Sequence, residues 1–277
     1  MSVKEKIEDY LNNSIYIDYD DDMQFHPIRI LEAMKSLYGI DPNKNNAVIY
    51  NNFSSYLNNF QIKNTFKLEI EKVDYFASMI NLQILLDRKK FTEAKSEIQR
   101  LLQVSTGEPI FELLIITYLD EIYLLPHLIS IFRISKFCNG HNINDKLLFI
   151  VDLIEKHKNN KENLNYLNYL NYFTTIIEVS KNTFIRDADI KYKISKLDMK
   201  SIERKVGSEK KTKLGEKLIV EGREYLLTLI EENPLIIESD ENILLLDSIR
   251  VLLRYRNSTK NDNQIHFAVG KLNINEI

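Results

Sequence analysis

Residues 73–102, VDYFASMINLQILLDRKKFTEAKSEIQRLL, contain two helical patterns separated by a charged turn. The apolar residues of the first pattern recur at helical spacing: Val73, Phe76, Ala77, Ile80 and Ile84. After residues 87–90 a second set follows: Phe91, Ala94, Ile98, Leu101 and Leu102. Either helix alone would expose an apolar stripe to water, so the stretch predicts an antiparallel hairpin that stacks on further hairpins.

The composition of the whole chain extends this prediction to a mainly α fold. With 44% hydrophobic residues among 277, the chain can bury a large core, and only 7 Gly and 5 Pro leave few tight turns. We therefore predict stacked antiparallel helical hairpins in a repeat-like array. Apolar and polar residues alternate near 189–195 and 265–270, which predicts a minor β element in which these segments pair.

Several functional classes are disfavoured by composition. A net charge of −3 argues against a globally basic nucleic-acid binder. Cys138 is the single cysteine, so it forms no internal disulfide and no thiolate metal framework. The apolar segment 108–137 is interrupted by Asp120, Glu121 and Arg133, which favours buried core over a membrane span. We expect a cytoplasmic protein without membrane association, metal or cofactor, and no Gly-rich phosphate loop is present.

The hairpin stretch resembles a tetratricopeptide repeat over about residues 73–104. Phe91-Thr92-Glu93-Ala94, followed by Ile98 and Leu101, is similar to the second helix of such a repeat. The chain has Leu82 where the family has Gly, Leu101 where it has Ala, and Thr106 where it has Pro. The resemblance implies a helical interaction module that binds a protein partner.

A change of composition after Ser180 divides the predicted organisation. We expect a helical hairpin array over 1–180, a strand-like segment and basic loop over 181–217, and a small helical unit over 218–277. The glycine-bounded loop 204–217 could bind the phosphates of a nucleic acid, although a solvated surface loop is the more common role of such a segment. Its candidate nucleic-acid-binding residues are Arg204, Lys205, Lys210, Lys211 and Lys213.

The carboxy-terminal region contains an arginine-rich helix face and a histidine. Arg250 and Arg254 lie one turn apart, opposite the apolar residues of a predicted helix. Arg256-Asn257 and His266 resemble, loosely, the arginine-to-histidine signature of HEPN ribonucleases. That resemblance implies RNA cleavage, with the arginine stabilising phosphate charge and the histidine moving a proton. The alternative is an exposed arginine face and a histidine on a terminal strand.

The favoured functional hypothesis is a non-enzymatic protein–protein interaction or regulatory protein, in a phage, defence or mobile-element system. A protein partner is expected, and the sequence leaves self-association open. The alternative is a HEPN-like effector that cleaves or binds RNA through Arg256, Asn257, His266 and the basic loop.

Overall fold

The computed structural model describes residues 2–19, 21–41, 47–62, 76–157, 164–181, 188–207, 211–256 and 261–272. Within these ranges the chain forms fifteen α-helices, three 3-10 helices and no sheet, which confirms the mainly α prediction. The α-helices are α1 (Val3–Asn13), α2 (Pro27–Tyr38), α3 (Ala47–Leu57), α4 (Met79–Asp87), α5 (Phe91–Leu101), α6 (Glu108–Thr117), α7 (Leu124–Phe137), α8 (Ile143–His157), α9 (Tyr166–Lys181), α10 (Ala188–Lys196), α11 (Met199–Val206), α12 (Lys213–Glu221), α13 (Tyr225–Glu232), α14 (Asp240–Arg254) and α15 (Asp262–Lys271). The 3-10 helices are Ser14–Tyr16, Met23–Phe25 and Pro234–Glu238. No helix in the described ranges has the length and apolarity needed to cross a bilayer.

The predicted hairpin is present as α4 and α5, which pack against each other. In α5 the expected residues Ala94 and Ile98 are fully buried. In α4 the predicted apolar stripe is wrong, because Ile80 is 74% exposed and the buried face carries Leu82 and Leu86.

The error in α4 arises from where the helix begins. Ser78 caps α4, so Phe76 precedes the helix and is 97% exposed. Residues two positions apart lie about 200° apart on a helix, so Ile80 and Leu82 occupy opposite faces. Val73 lies outside the described residues.

The predicted minor β element is wrong. Residues 189–195 belong to α10, where Ile190 is buried while Tyr192 is 63% exposed. Ile190 and Ile194 are one helical turn apart and both face the core. The alternation of apolar and polar residues that predicted a strand therefore also fits the spacing of a helix. Residues 265–270 belong to α15, in which 264–269 are all buried. A helix that is buried almost all round shows no clear period, and a short apolar run of this kind also suits a strand.

Helix α14 lies at the centre of the core. Ser239 caps its amino terminus, and residues 242–252 are all buried. It packs against α2, α9 and α15. Because α2 and α14 lie near opposite ends of the chain, their contact joins both ends of the sequence in one hydrophobic core. The repeat-like stacking and the division at 180 and 217 stay predictions.

Candidate anion-binding site

Charged side chains converge where α2, α7, α9 and α14 meet. Helix α2 places Arg29, Glu32 and Lys35 three residues apart, so they share one face. The buried charge network consists of four cations and three carboxylates: Arg29, Lys35, Arg133, Arg250, Glu32, Glu178 and Asp247. Charges rarely lie in a core unless they are paired, so this concentration is an informative departure from ordinary packing.

Arg133 of α7 is the hub of the network. Its Nε lies 3.1 Å from Glu32 Oε1, and its Nη1 donates to Glu178 Oε2 at 2.8 Å. Its Nη2 donates to the hydroxyl of Ser36 at 2.8 Å. Lys35 Nζ also lies 2.8 Å from Glu32 Oε1. These contacts fix the Arg133 guanidinium in one orientation.

The carboxylates of the network do not balance its cations. Although burial by itself raises the pKa of Glu32, the charges of Arg133 and Lys35 hold that pKa well below its usual range. Burial lowers the pKa of Lys35 and of Arg29, and nearby Glu32 only partly offsets that effect. At Arg133 and Arg250 burial also lowers the pKa, but the charges of the neighbouring carboxylates outweigh it and raise the pKa of both. Of the cations in this network, Lys35 and Arg29 are therefore those beside which a further anion would compensate most for burial.

Arg250 of α14 has spare hydrogen-bonding capacity. The side chain is 4% exposed, and its Nε donates to Asp247 Oδ1 at 2.7 Å. Its buried Nη2 has no hydrogen-bond partner among the described residues, and Glu178 Oε1 lies 3.7 Å from it. A buried guanidinium with an unused donor is costly unless a partner occupies the site.

Arg250 forms part of the wall of a cavity of about 540 Å³, which we call the basic pocket. Six of the described lining residues are cations and none is a carboxylate: Lys4, Lys35, Arg133, Arg223, Arg250 and Arg254. The remaining lining residues are Val3, Ile7, Ser36, Tyr38, Gly39, Ile40 and Phe137. This volume lies within the range of about 300–1,000 Å³ that is usual for small-ligand pockets.

Of the cations at the rim of the basic pocket, Arg254 adds most to its positive charge, because the other two have carboxylate partners. Arg254 is exposed, one turn beyond Arg250 on α14, and forms no ion pair with any described residue. Arg223 pairs with Glu224 at 3.2 Å, and Lys4 pairs with Glu8 at 3.5 Å. Arginine guanidinium groups match phosphate oxygens in geometry, and this arrangement is suited to binding an oxyanion.

Other parts of the described chain offer less for ligand chemistry. No cluster of three or more His, Cys, Asp or Glu side chains in the described ranges could hold a metal ion. Cys138 is buried, and burial raises the pKa of its thiol, which disfavours the reactive thiolate.

The predicted nucleic-acid-binding residues lie on α11 and at the start of α12. Arg204 and Lys205 are exposed on α11, where the Lys205 ammonium lies 5.0 Å from the Tyr169 ring centroid. Lys211 and Lys213 are exposed beside α12, and Lys210 lies outside the described residues. Arg204 lines a shallow polar cavity of about 440 Å³ together with Lys200, Glu203, Gly207, Asn263 and Gln264.

The residues of the HEPN-like pattern have structural partners. Arg256 forms two hydrogen bonds to Asp262, at 2.8 and 3.0 Å, and its Nη1 donates to the carbonyl of Ile219. His266 is 3% exposed, and its Nδ1 accepts a hydrogen bond from the Thr212 backbone at 3.1 Å. It lies on helix α15, not on a terminal strand. Asn257 lies outside the described residues.

Neither a protein-family model, nor a curated protein, nor a solved structure matches this chain. The candidate site therefore rests on its own geometry and charge.

Sequence reasoning missed most of the basic pocket. The Arg250–Arg254 pair was recognised, but Arg250 was placed on an exposed face and is in fact buried. The missed signal is a charged residue with an apolar residue on either side of it within a helix, as at Glu32, Arg133 and Glu178. Such a charge predicts a buried partner, although one sequence does not say which helix supplies it.

Proposed function

We propose that this protein is a non-enzymatic regulatory binding protein whose basic pocket holds a phosphate-bearing ligand. The observation that carries the proposal is Arg250, a buried arginine in the wall of a pocket lined by cations, whose Nη2 has no hydrogen-bond partner among the described residues although it lies 3.7 Å from Glu178 Oε1. Hydrogen bonds to charged groups contribute about 1.5–3 kcal/mol each, so a phosphate that engages Arg250 would bind with useful affinity.

The location of the basic pocket supports a regulatory role. Its walls come from α1, α2, α7 and α14, so a ligand there contacts elements from both ends of the chain. Binding would stabilise the packing of α2 on α14, and a protein partner that contacts either helix would then respond to the ligand. A cytoplasmic location, where phosphorylated metabolites are abundant, belongs to the same proposal.

Calorimetric titration with inorganic pyrophosphate tests this proposal. Arg250→Met should weaken binding about tenfold or more, because it removes a charged donor from the pocket wall. Arg254→Met should weaken pyrophosphate binding by a smaller factor. Because Arg254 is exposed and forms no ion pair with any described residue, this variant should fold normally even if Arg250→Met does not. Arg204→Met is the matched control, since Arg204 is exposed and does not line the basic pocket.

Three outcomes would contradict the proposal. The first is a failure of pyrophosphate to bind wild type at low salt, and the second is equal binding of pyrophosphate by wild type and all three arginine variants. Phosphorus NMR of the same samples should show unchanged pyrophosphate, and its hydrolysis would contradict the non-enzymatic part.

A second candidate function is binding of single-stranded RNA at α11 and α15, favoured by one observation. Gln264 is 3% exposed and lines the polar cavity beside Arg204, yet its Oε1 has no hydrogen-bond partner among the described residues. Gln264 Nε2 donates to Glu203, which lines the same cavity, so a base edge would reach the buried amide oxygen only after the side chain moves, while Lys200 and Arg204 could contact the adjacent phosphates. Filter binding tests this: Arg204→Met should weaken RNA binding and lower its salt dependence, and Arg88→Met in the α4–α5 turn should not.

A further inference from the structure

The lining of the basic pocket is mixed in chemistry. It combines the cations Arg133, Arg223, Arg250 and Arg254 with apolar and aromatic side chains. Ile7 and Ile40 are buried, whereas Phe137 and Tyr38 are half-buried and keep part of their rings accessible. A ligand that fills the pocket must therefore combine an anionic group with a body that tolerates apolar contact.

Phe137 is the aromatic residue best placed to contact that body. It ends α7 one turn beyond Arg133, so the two side chains project from the same helix face. Residues at this spacing have Cβ atoms about 5–6 Å apart, a separation that a pentose can bridge between a phosphate and a ring.

Two ammonium groups flank Phe137. Lys35 Nζ lies 5.6 Å from the ring centroid and Lys4 Nζ lies 5.9 Å from it. An acyl chain on this ring would desolvate both cations without offering them a hydrogen bond. Both ammonium groups lie over the ring, so a heteroaromatic base that stacks on Phe137 would displace at least one of them from the ring face and offer it ring nitrogen or carbonyl acceptors in exchange.

We infer that the ligand of the basic pocket is a nucleoside phosphate, with its phosphate at Arg133, Arg250 and Arg254 and its base against Phe137. This inference rests on the proposed function, because it names the class of ligand for the same site. Arg250 and Arg254 supply affinity for the phosphate, and Phe137 with its flanking lysines selects a planar, acceptor-bearing ring.

Calorimetric titration with three monophosphates tests the inference: AMP, ribose 5-phosphate and octyl phosphate. All three present a monophosphate ester, so they differ chiefly in the body attached to the phosphate. AMP should bind at least about fivefold more tightly than ribose 5-phosphate, the increment expected from stacking one base on an aromatic ring. Phe137→Leu should remove most of that preference, and Phe76→Leu should keep it, because Phe76 is exposed and does not line the pocket.

The outcomes separate this inference from the proposed function. If AMP and ribose 5-phosphate bind equally and both depend on Arg250 and Arg254, the nucleoside inference fails and the phosphate site stands. Tighter binding of octyl phosphate than AMP would also overturn the inference, since it would assign the apolar wall to an acyl chain. If none of the three monophosphates binds, or if Arg254→Met leaves the affinity for each of them unchanged, both the nucleoside inference and the proposed function fail.

Discussion

The α4–α5 hairpin and the buried charge network differ in how completely their buried charged groups are hydrogen-bonded. In the hairpin, apolar residues such as Leu82 and Ile98 make the interface, and the buried carboxylate of Glu97 has partners at both oxygens. In the network, Arg133 bridges two carboxylates, while Glu32 Oε2 and Arg250 Nη2 have no hydrogen-bond partner among the described residues. A carboxylate with a partner at each oxygen is accounted for by the fold alone, whereas an arginine in a pocket wall that is ion-paired but keeps one donor without a hydrogen bond is a candidate ligand contact.

The largest expected effect of a single substitution is in the network. Arg133→Met should lower the free energy of unfolding by about 3–5 kcal/mol, because it leaves Glu32 and Glu178 buried without their main partner. Urea denaturation monitored by circular dichroism measures this loss. Adding Glu32→Gln to Arg133→Met should recover part of the stability, since it removes an uncompensated charge. A loss below about 1 kcal/mol would show that the network is well solvated.

In the hairpin the decisive interactions are apolar. Leu82→Ala should cost about 2–4 kcal/mol in the same denaturation experiment, because it leaves a cavity against α5. This loss is compared with the loss in free energy of unfolding caused by Arg133→Met. If the loss for Leu82→Ala is much the larger, apolar packing dominates the stability of both regions.

Acid should affect the network through Glu32. Its pKa is lowered in the folded state, so its contribution is present above the ordinary glutamate pKa of about 4.3 and is lost as pH falls below that value. The stability difference between wild type and Glu32→Gln should therefore narrow by up to about 1.4 kcal/mol per pH unit below 4. Using this pair of proteins cancels the titration of the other carboxylates. If the stability difference between wild type and Glu32→Gln is the same at pH 6 and at pH 3, the ion pairs of Glu32 do not stabilise the folded state.

The smallest effect is expected on the outer face of the hairpin. Ile80→Asn should change the free energy of unfolding by less than about 0.5 kcal/mol, because Ile80 is 74% exposed. The original apolar stripe, with Ile80 inside, predicts a loss several times larger. Denaturation of Ile80→Asn beside Leu82→Ala therefore decides which face of α4 packs on α5.

These regions also show what one sequence can and cannot predict. Periodicity and turn chemistry are local, so the helical class, the hairpin and the buried residues Ala94 and Ile98 were predictable. The buried face of α4 was not predictable. Ile80 and Leu82 each belong to a set of apolar residues at helical spacing, and only the tertiary contact with α5 determines which set is buried.

The basic pocket required information that is not local. Arg250 and Arg254 share a helix face that the sequence revealed, but the burial of Arg250 depends on its packing against distant elements. Glu32, Arg133 and Glu178 come from three helices, and their convergence follows only from the packing of α7 and α14 against α2 and α9.

The measurement that tests the central claim most directly is the thermal unfolding midpoint with and without pyrophosphate, for wild type and Arg254→Met. A ligand at about 100 times its dissociation constant stabilises the folded state by about 2.7 kcal/mol. The account predicts a clear rise in the midpoint for wild type and a smaller rise for Arg254→Met at the same pyrophosphate concentration. An equal rise in both proteins, or no rise in wild type, would contradict a phosphate site in the basic pocket.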